Sequence, residues 1–219
     1  FDADGEAPFT LEYFDAGQIR LSASLPLAAS GDDPAITITG SSGTTVVQPA
    51  DFAVTTVEAN GGGANPGTTT AGAGFITSET AFRVVVEARN SVGGTTPNYG
   101  NATSAEGIRL DINTLVTPAG GTATAFNNPD SFTSIGSAQF ETTTISWPQA
   151  GTVTVEASVS DSDYLGSGNV TGTASGNVGR FYPDHFTLVS NDMDDGCISG
   201  GFSYMSDQLI TYRPFAASF

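Results

Sequence analysis

The sequence predicts an all-β protein made of immunoglobulin-like antiparallel β-sandwich modules in tandem. Short runs in which apolar and polar residues alternate are typical of strands that bury one face. Gly and Pro turns separate these runs, and the 27 Gly and 11 Pro among 219 residues favour many turns over helices. Segments of the chain also recur at a constant offset of 134 residues, which indicates repeated modules.

The repeat aligns residues 11–25 (LEYFDAGQIRLSASL) with residues 145–159 (ISWPQAGTVTVEASV). The aligned pairs are Tyr13 with Trp147, Gly17 with Gly151, Leu21 with Val155, Leu25 with Val159, Pro49 with Pro183, Asp51 with His185 and Phe52 with Phe186. We therefore predict the C-terminal part of a first β module in residues 1–47. A complete sandwich is predicted in residues 48–181, and the start of a following module in residues 182–219.

Six segments of this sandwich carry the strand pattern. They are residues 49–57, 81–90, 107–114, 137–147, 151–158 and 169–173, and residues 180–189 are predicted to be the entry strand of the next module. Alternation places Phe82, Val84, Val86 and Ala88 on one buried face, and it does the same for Val153, Val155, Ala157 and Val159. Residues 148–151 are predicted to be a tight turn with Gly151 at positive φ, so that 137–147 and 151–158 pair as a hairpin.

One segment, residues 60–74 (NGGGANPGTTTAGAG), has low complexity. Its Gly, Thr and Ala content predicts a flexible loop. Apolar residues at Phe52, Phe75 and Ile76 flank it, so we place the loop within the complete module rather than between modules.

The charge of the chain excludes several classes of partner. Six arginines and no lysine face 23 acidic residues, which gives a net charge of -17. Such a surface repels the phosphates of nucleic acid and anionic membrane surfaces. No apolar run is long enough to span a bilayer. We therefore expect neither nucleic-acid binding nor membrane insertion.

The residue types needed for enzymatic chemistry are scarce, and we predict that the protein is not an enzyme. His185 is the single histidine and Cys197 the single cysteine. Asp184 is adjacent to His185, but neighbouring strand residues point to opposite faces, so we expect Asp184 not to orient the imidazole. One His and one Cys do not make a zinc site. For Cys197, a free buried thiol and a disulfide partner beyond Phe219 stay open.

Calcium is the candidate cofactor, because hard cations bind to several oxygen atoms that Asp residues supply. The first candidate ligands are Asp192, Asp194 and Asp195, which follow the first strand of the third module. Asp161 and Asp163 form a second candidate pair. The alternative is that both clusters are solvated acidic loops.

The aromatic residues suggest packing rather than ligand binding. Trp147 could stack on a sugar, but Tyr13 replaces it in the other copy, which favours a core position beside the turn. We predict that the module boundary is packed by Trp147, Tyr182 and Phe186. If Phe186 is buried there, Phe186→Ala should lower the free energy of unfolding by about 3–5 kcal/mol.

Four segments carry a resemblance to a known family. They are residues 81–100 (AFRVVVEARNSVGGTTPNYG), 161–168 (DSDYLGSG), 178–186 (VGRFYPDHF) and 202–208 (FSYMSDQ). Together they resemble the C-terminal region of the MshQ-like MSHA pilus biogenesis proteins, a bacterial domain of unknown function with immunoglobulin-like repeats. The chain departs from that pattern at Ser206-Asp207, where a single Gly is expected. The resemblance implies a secreted, surface-associated, pilus-linked protein and supplies no catalytic residue.

These observations predict a structural or adhesive segment, a stalk or fibre element, of an extracellular bacterial cell-surface protein. Its partners would be neighbouring copies or other modules of the same fibre, and host or environmental glycans. Two alternatives stay open, a carbohydrate- or protein-binding module and a self-polymerising fibre subunit.

Overall fold

The computed structural model describes residues 6–101, 105–192 and 211–217. In these ranges the chain is almost entirely strand and turn. The strands are β1 (Gly17–Ile19), β2 (Ser22–Leu27), β3 (Ile36–Ser41), β4 (Thr45–Val47), β5 (Asp51–Ala59), β6 (Phe82–Arg89), β7 (Ile108–Thr117), β8 (Thr133–Gly136), β9 (Gln139–Ile145), β10 (Gly151–Val159), β11 (Val178–Phe181), β12 (His185–Asp192) and β13 (Thr211–Ala217). One short 3-10 turn covers Tyr164–Gly166.

Strands β5 to β11 form a seven-stranded sandwich, which we call the central sandwich. One sheet has the order β5-β6-β9-β8 and the other β11-β10-β7, with antiparallel pairing throughout. With the strands lettered A to G in chain order, these sheets are ABED and GFC, the arrangement of a constant-type immunoglobulin domain. The predicted fold class is confirmed.

The core of the central sandwich comes from the alternating residues of both sheets. Fully or almost fully buried side chains from its strands are Phe52, Phe82, Val84, Val86, Ala88, Ile108, Leu110, Phe140, Ile145, Val153, Val155, Ala157, Val159, Val178 and Phe181. The predicted buried faces of residues 82–88 and 153–159 are therefore confirmed. On the outer face of the first sheet, Arg83 bridges Glu58 at 2.6 Å and also contacts Glu141, so one guanidinium links three adjacent strands.

The hairpin predicted between residues 137–147 and 151–158 is wrong. β9 pairs with β6 and β8, whereas β10 pairs with β7 and β11, so the two strands lie in opposite sheets. The hairpin that does form joins β8 and β9. Its turn residues Ser137 and Ala138 both have positive φ, 52° and 61°, which matches the twist of the flanking strands.

The low-complexity segment 60–74 lies within the central sandwich and is tied to the second sheet. The Asn65 side chain donates to the carbonyl of Asn177 at 2.8 Å and accepts from the Gly179 amide at 2.9 Å. The Arg180 guanidinium donates to the carbonyl of Gly72 at 2.7 Å. These bonds hold a segment that the composition alone predicts to be a free loop.

The 134-residue repeat is visible in the strand pairing. Gly17 pairs with Val47 across β1 and β4, and Gly151 pairs with Phe181 across β10 and β11. Both members of each pair are related by the same offset. Gly17 and Gly151 also share an unusual backbone, with φ of 132° and 140°, a region that is essentially restricted to glycine.

Three predictions at the C-terminal boundary are wrong, and one is confirmed. Trp147 is buried, whereas Phe186 is 67% exposed and Tyr182 is 43% exposed. Residues 180–189 do not form one strand, because β11 ends at Phe181 and β12 begins at His185. Phe181 faces the core because β11 pairs with β10. Phe186 lies on β12, which pairs with β13 alone among the described strands.

One more predicted strand is absent from the described structure. Residues 169–173 contribute a single bridge, from Ser158 to Thr171, and a few backbone hydrogen bonds to β10. β11 pairs only with residues 151–153 of β10, and the segment before β11 bonds irregularly to the rest of that strand: the Val159 amide donates to the Val170 carbonyl, and the Gly172 amide donates to the Ala157 carbonyl.

Candidate interaction site at the inter-module joint

The two ends of the central sandwich are marked by separate aromatic clusters. At one end the rings of Phe52, Tyr99, Phe140 and Tyr164 contact one another, with centroids 5.1–5.6 Å apart. At the other end lie Phe75, Phe82, Phe126, Trp147 and Phe181. β5 begins beside the first cluster and β11 ends within the second, so the chain enters the sandwich at one end and leaves it at the other.

The N-terminal segment docks on the first of these ends, and we call this contact the joint. Ala16 is completely buried and belongs to the core of the central sandwich. The Asn90 side chain donates to the Phe14 carbonyl at 2.8 Å. The Asn98 amide donates to Oδ1 of Asp15 at 3.0 Å. An apolar anchor and two directional hydrogen bonds therefore fix how the segment sits on the sandwich.

A second set of hydrogen bonds holds the joint at Gln48, the residue that follows β4. Nε2 of Gln48 donates to the carbonyl of Ser167 at 2.9 Å and to its Oγ at 2.8 Å. Val46, on β4, is partly buried against the core of the central sandwich. The hydrogen bonds near Ala16 and those of Gln48 involve different loops of the sandwich, so hinge motion at the joint has to break both sets.

The joint encloses an open cleft of about 480 Å³. The polar and aromatic residues that line it are Tyr13, Gln18, Asn98, Asn101, Glu106 and Tyr164. Tyr13 is 39% exposed, and its hydroxyl lies 3.5 Å from Nδ2 of Asn98. Its aligned partner Trp147 is buried and donates from Nε1 to the Thr124 carbonyl at 3.0 Å. The repeat therefore places an aromatic ring at both sites but exposes it in one.

Tyr164 lines the cleft, and its ring stacks on the buried Tyr99 with the centroids 5.6 Å apart. Burial, together with the nearby Glu106 carboxylate, raises the pKa of Tyr164 to about 12. Burial also raises the pKa of Tyr99, whose hydroxyl donates to the Gly107 carbonyl at 2.8 Å. Oε1 of Glu106 accepts the Leu165 amide at 3.1 Å. Both phenols therefore stay protonated over the physiological range of pH.

The chemistry available at the cleft is hydrogen bonding and stacking. Three amide side chains supply both donors and acceptors, and one phenol ring is partly exposed. Among the described residues that line the cleft, Glu106 is the one carboxylate and none is cationic. Such a lining suits a neutral ligand that carries hydroxyl groups better than it suits an anion.

Neither Asp161 nor Asp163 lines the joint cleft, although Asp163 immediately precedes Tyr164, which does. Asp161 and Asp163 lie in the turn after β10, where Oδ1 of Asp161 accepts the Asp163 amide at 3.0 Å and Oδ1 of Asp163 accepts the Gly168 amide at 2.8 Å. Asp192 ends β12, and Asp194 and Asp195 lie outside the described residues. Across the described ranges, no three His, Cys, Asp or Glu residues cluster as a metal site. Calcium binding stays a prediction.

The expected geometry at His185 is wrong. Nδ1 of His185 lies 3.1 Å from Oδ2 of Asp184, because Asp184 precedes β12 and does not follow strand alternation. Both side chains are exposed, at 43% and 64%. Cys197 lies outside the described residues.

The joint residues themselves were not predicted from the sequence. Asn90, Asn98 and Gln48 act through hydrogen bonds to partners 76, 83 and 119 positions away, which leave no periodic pattern in the sequence. The recurrence of the Ala-Gly step, at Ala16-Gly17 and Ala150-Gly151, was the one available signal, because Ala16 is the buried anchor.

The fold and the joint define a tandem immunoglobulin-like β-sandwich protein. The chain belongs to the family of the domain of unknown function DUF6701: its first Ig-like domain matches residues 1–41, its second domain 48–144 and its third domain 149–217. No curated protein and no solved structure matches the chain. Within the described ranges, no helix has the length and hydropathy to cross a membrane.

The family domains and the central sandwich divide the chain differently. The second-domain match contains β5 to β8 and nearly all of β9, whereas β10 and β11 fall in the third-domain match. The sandwich therefore takes two of the three strands of its second sheet from the third family domain.

Proposed function

We propose that the chain is a stalk or fibre segment of a secreted bacterial surface protein. The observation that carries the proposal is the path of the chain through the central sandwich, in at one end and out at the other. Modules connected in this way stack end to end rather than side by side, and each one adds to the reach of the array. β5 alone, with nine residues, spans about 30 Å.

The joint supports this proposal because a spacer has to resist bending. Ala16 is buried in the neighbouring module, and hydrogen bonds from Asn90, Asn98 and Gln48 restrain the segment from two sides. The net charge of -17 adds repulsion between modules, which favours an extended array over a collapsed one.

The resemblance to the MshQ-like pilus biogenesis proteins supports a place outside the cell. On this proposal the protein is located at the bacterial cell surface and is associated with a pilus, and the array holds a distal adhesive element away from the envelope. A stalk or fibre segment depends on its core and joint residues and needs no catalytic group.

Small-angle X-ray scattering of the 219-residue chain tests the spacer role. A compact chain of this length has a radius of gyration of about 17 Å. We expect a clearly larger value and an elongated distance distribution at dilutions where the chain is monomeric. A radius of gyration near the compact value would contradict the proposal.

A joint variant sharpens the test. Combining Asp15→Ala, Asn90→Ala and Gln48→Ala removes the hydrogen bonds near Ala16 and those to Ser167, so we expect a broader distance distribution with unchanged circular dichroism. Asp32→Ala, in the exposed turn between β2 and β3, is the charge-matched control and should scatter as the parent does. Equal distributions for all three proteins would show that the joint does not set the shape.

The joint cleft favours a second candidate function, binding of a neutral glycan. Its partly exposed phenol and three amide side chains are the groups that recognise hydroxyl-rich ligands. Glycan-array screening of the chain should then give hits that Tyr13→Ala abolishes. Tyr182→Ala, at an exposed tyrosine on the opposite end of the central sandwich, is the matched control. An array without a reproducible hit would leave the spacer role alone.

A further inference from the structure

β11, the strand through which the chain leaves the central sandwich, has a short ladder. Its four residues pair with β10 at three positions, and the register shifts between two of them. β7, on the other side of β10, pairs with it at eight positions. Among the described strands, β11 has no neighbour other than β10. Each ladder position contributes a small net free energy, so the ladder alone holds β11 weakly.

A second segment holds β11 from outside this ladder. It covers residues 65–78, and we call it the strap. The Arg180 guanidinium donates to the carbonyls of Thr70 at 3.1 Å and Gly72 at 2.7 Å. The Asn65 side chain adds the two bonds described above. Bonds from a charged donor are about twice as strong as neutral ones, so Arg180 supplies the strongest side-chain contact between the strap and β11.

The second part of the strap pairs with the edge of β11 that β10 leaves free. The Phe75 amide donates to the Arg180 carbonyl at 2.8 Å. The Tyr182 amide donates to the Ile76 carbonyl at 3.2 Å, and the Tyr182 carbonyl accepts the Ser78 amide at 2.8 Å. The pairing is parallel, and it extends past the end of β11 as far as Tyr182.

The strap is anchored in the rest of the module independently of β11. Ile76 is buried and belongs to the core of the central sandwich. The Phe75 ring meets the Phe82 ring of β6 edge to face, with the centroids 5.9 Å apart. The next residue along the chain, Glu79, donates its amide to the Trp147 carbonyl at 2.7 Å. The strap therefore ties β11 to the side of the module that holds the first sheet.

We propose that the strap is a latch that keeps β11 in the sandwich and so fixes the direction in which the chain leaves it. This inference rests on the proposed spacer role and names the contacts that stiffen its second end. The strap lies in the second family domain and β11 in the third, so the latch also holds the two domains together.

The length of the connection to β12 shows what the latch controls. Only Pro183 and Asp184 separate Tyr182 from β12. When the strap is bonded, this short connection restricts how the following segment moves. When the strap is released, residues 177–182 join the connection, and a flexible chain of that total length has a root-mean-square extension of about 16 Å. The boundary is then flexible instead of stiff.

Variants of the strap contacts separate the latch from the sheet. Arg180→Gln combined with Asn65→Ala removes the bonds that these two side chains make and keeps the backbone pairing. Arg109→Gln is the matched control, because Arg109 lies on β7 of the same sheet and pairs with Asp111 of its own strand. Circular dichroism should show that both proteins are folded as the parent is.

Native-state hydrogen exchange, measured over a series of low urea concentrations, detects the opening. In the parent, the amides of Ser78 and Tyr182 should exchange faster than those of β6 and β9 and depend less on urea, because only β11 and the strap separate. In the double variant they should exchange at least about tenfold faster, and in Arg109→Gln at the parent's rate. The proposal is overturned if these amides follow β6 and β9 in the parent, or if the double variant leaves their rates unchanged.

Small-angle X-ray scattering connects the opening to the shape of the chain. Adding Gly74→Val to the double variant drives the strap from Tyr182, because a Cβ at residue 74 lies 2.7 Å from Cδ1 of that ring. The triple variant should give a broader distance distribution than the parent. An elongated parent with the same distribution as the triple variant would overturn the latch and leave the spacer role standing. A compact parent would contradict the spacer role itself, and the latch's part in it.

Discussion

Alanine substitution at Phe52 and Phe186 tests how two aligned residues differ in their surroundings. Phe52 is completely buried, and its ring meets Tyr99 edge to face at 5.1 Å. Phe52→Ala removes a large buried ring, and we expect it to lower the free energy of unfolding by about 3–5 kcal/mol. Phe186 is 67% exposed, so Phe186→Ala should cost under about 1 kcal/mol in the monomer.

Urea unfolding provides the measurement, since Trp147 is the single tryptophan and lies buried in the same core as Phe52. The measurement is made on dilute protein, so that self-association does not contribute to the free energy of unfolding. Unchanged m-values would confirm that both variants expose the same surface on unfolding. Equal losses at the two positions would refute the reasoning, because they would mean that Phe186 is covered within its own chain.

Two further predictions concern the glycine turn and the cleft. Gly151→Ala should lower the free energy of unfolding by more than about 3 kcal/mol, because a Cβ at φ 140° falls on the Thr117 carbonyl. Gly17→Ala should lower it by about 1–2 kcal/mol, because it has the same backbone strain but open space around it, and equal losses would show that strain alone matters. The pKa of Tyr164 rises to about 12 on folding, above its ordinary value near 10, so the folded chain holds a proton that the unfolded chain releases. The contribution of Tyr164 to stability should therefore be constant below pH 10 and be lost between pH 10 and 12, so stability should fall less over that range in Tyr164→Phe than in the parent; identical pH profiles would contradict the raised pKa.

The strand faces were predictable from the sequence because alternation is a local property. Every second residue of β6 and β10 is apolar, and a strand with one buried face needs nothing more than that pattern. The fold class followed from the same evidence, together with the turns between strands. The repeat was equally accessible, and the pairs Gly17 with Val47 and Gly151 with Phe181 show that it extends to the strand register.

The partners of the strands were not predictable in the same way. A turn containing Pro148 and Gly151 connects β9 to β10, and its residues suit a hairpin as well as a crossing between sheets. Sheet order depends on which strands lie side by side in the folded chain, and no local signal separates the two possibilities. The β8–β9 hairpin was missed for a related reason, since Ser137 and Ala138 are not the usual residues of a turn with two positive φ angles.

The exposure of Phe186 and the contacts at the joint were also not predictable from the sequence. The alignment of Phe186 with Phe52 correctly relates their strands, but burial depends on a facing sheet, which is an interaction across distance. The hydrogen bond from Asn90 to Phe14 joins residues 76 positions apart through a single side chain. No periodicity or composition of the sequence predicts such a contact.

The opposite positions of the two chain ends in the central sandwich determine how it bears tension. A pull on the array acts at Asp51, where β5 begins, and at Phe181, where β11 ends. Each strand is loaded along its own axis and away from the module. β5 and β6 are paired at eight positions, so these bonds are sheared together instead of being opened one after another. β11 is loaded against β10 in the same manner, and the sandwich therefore meets an axial force in its more resistant direction.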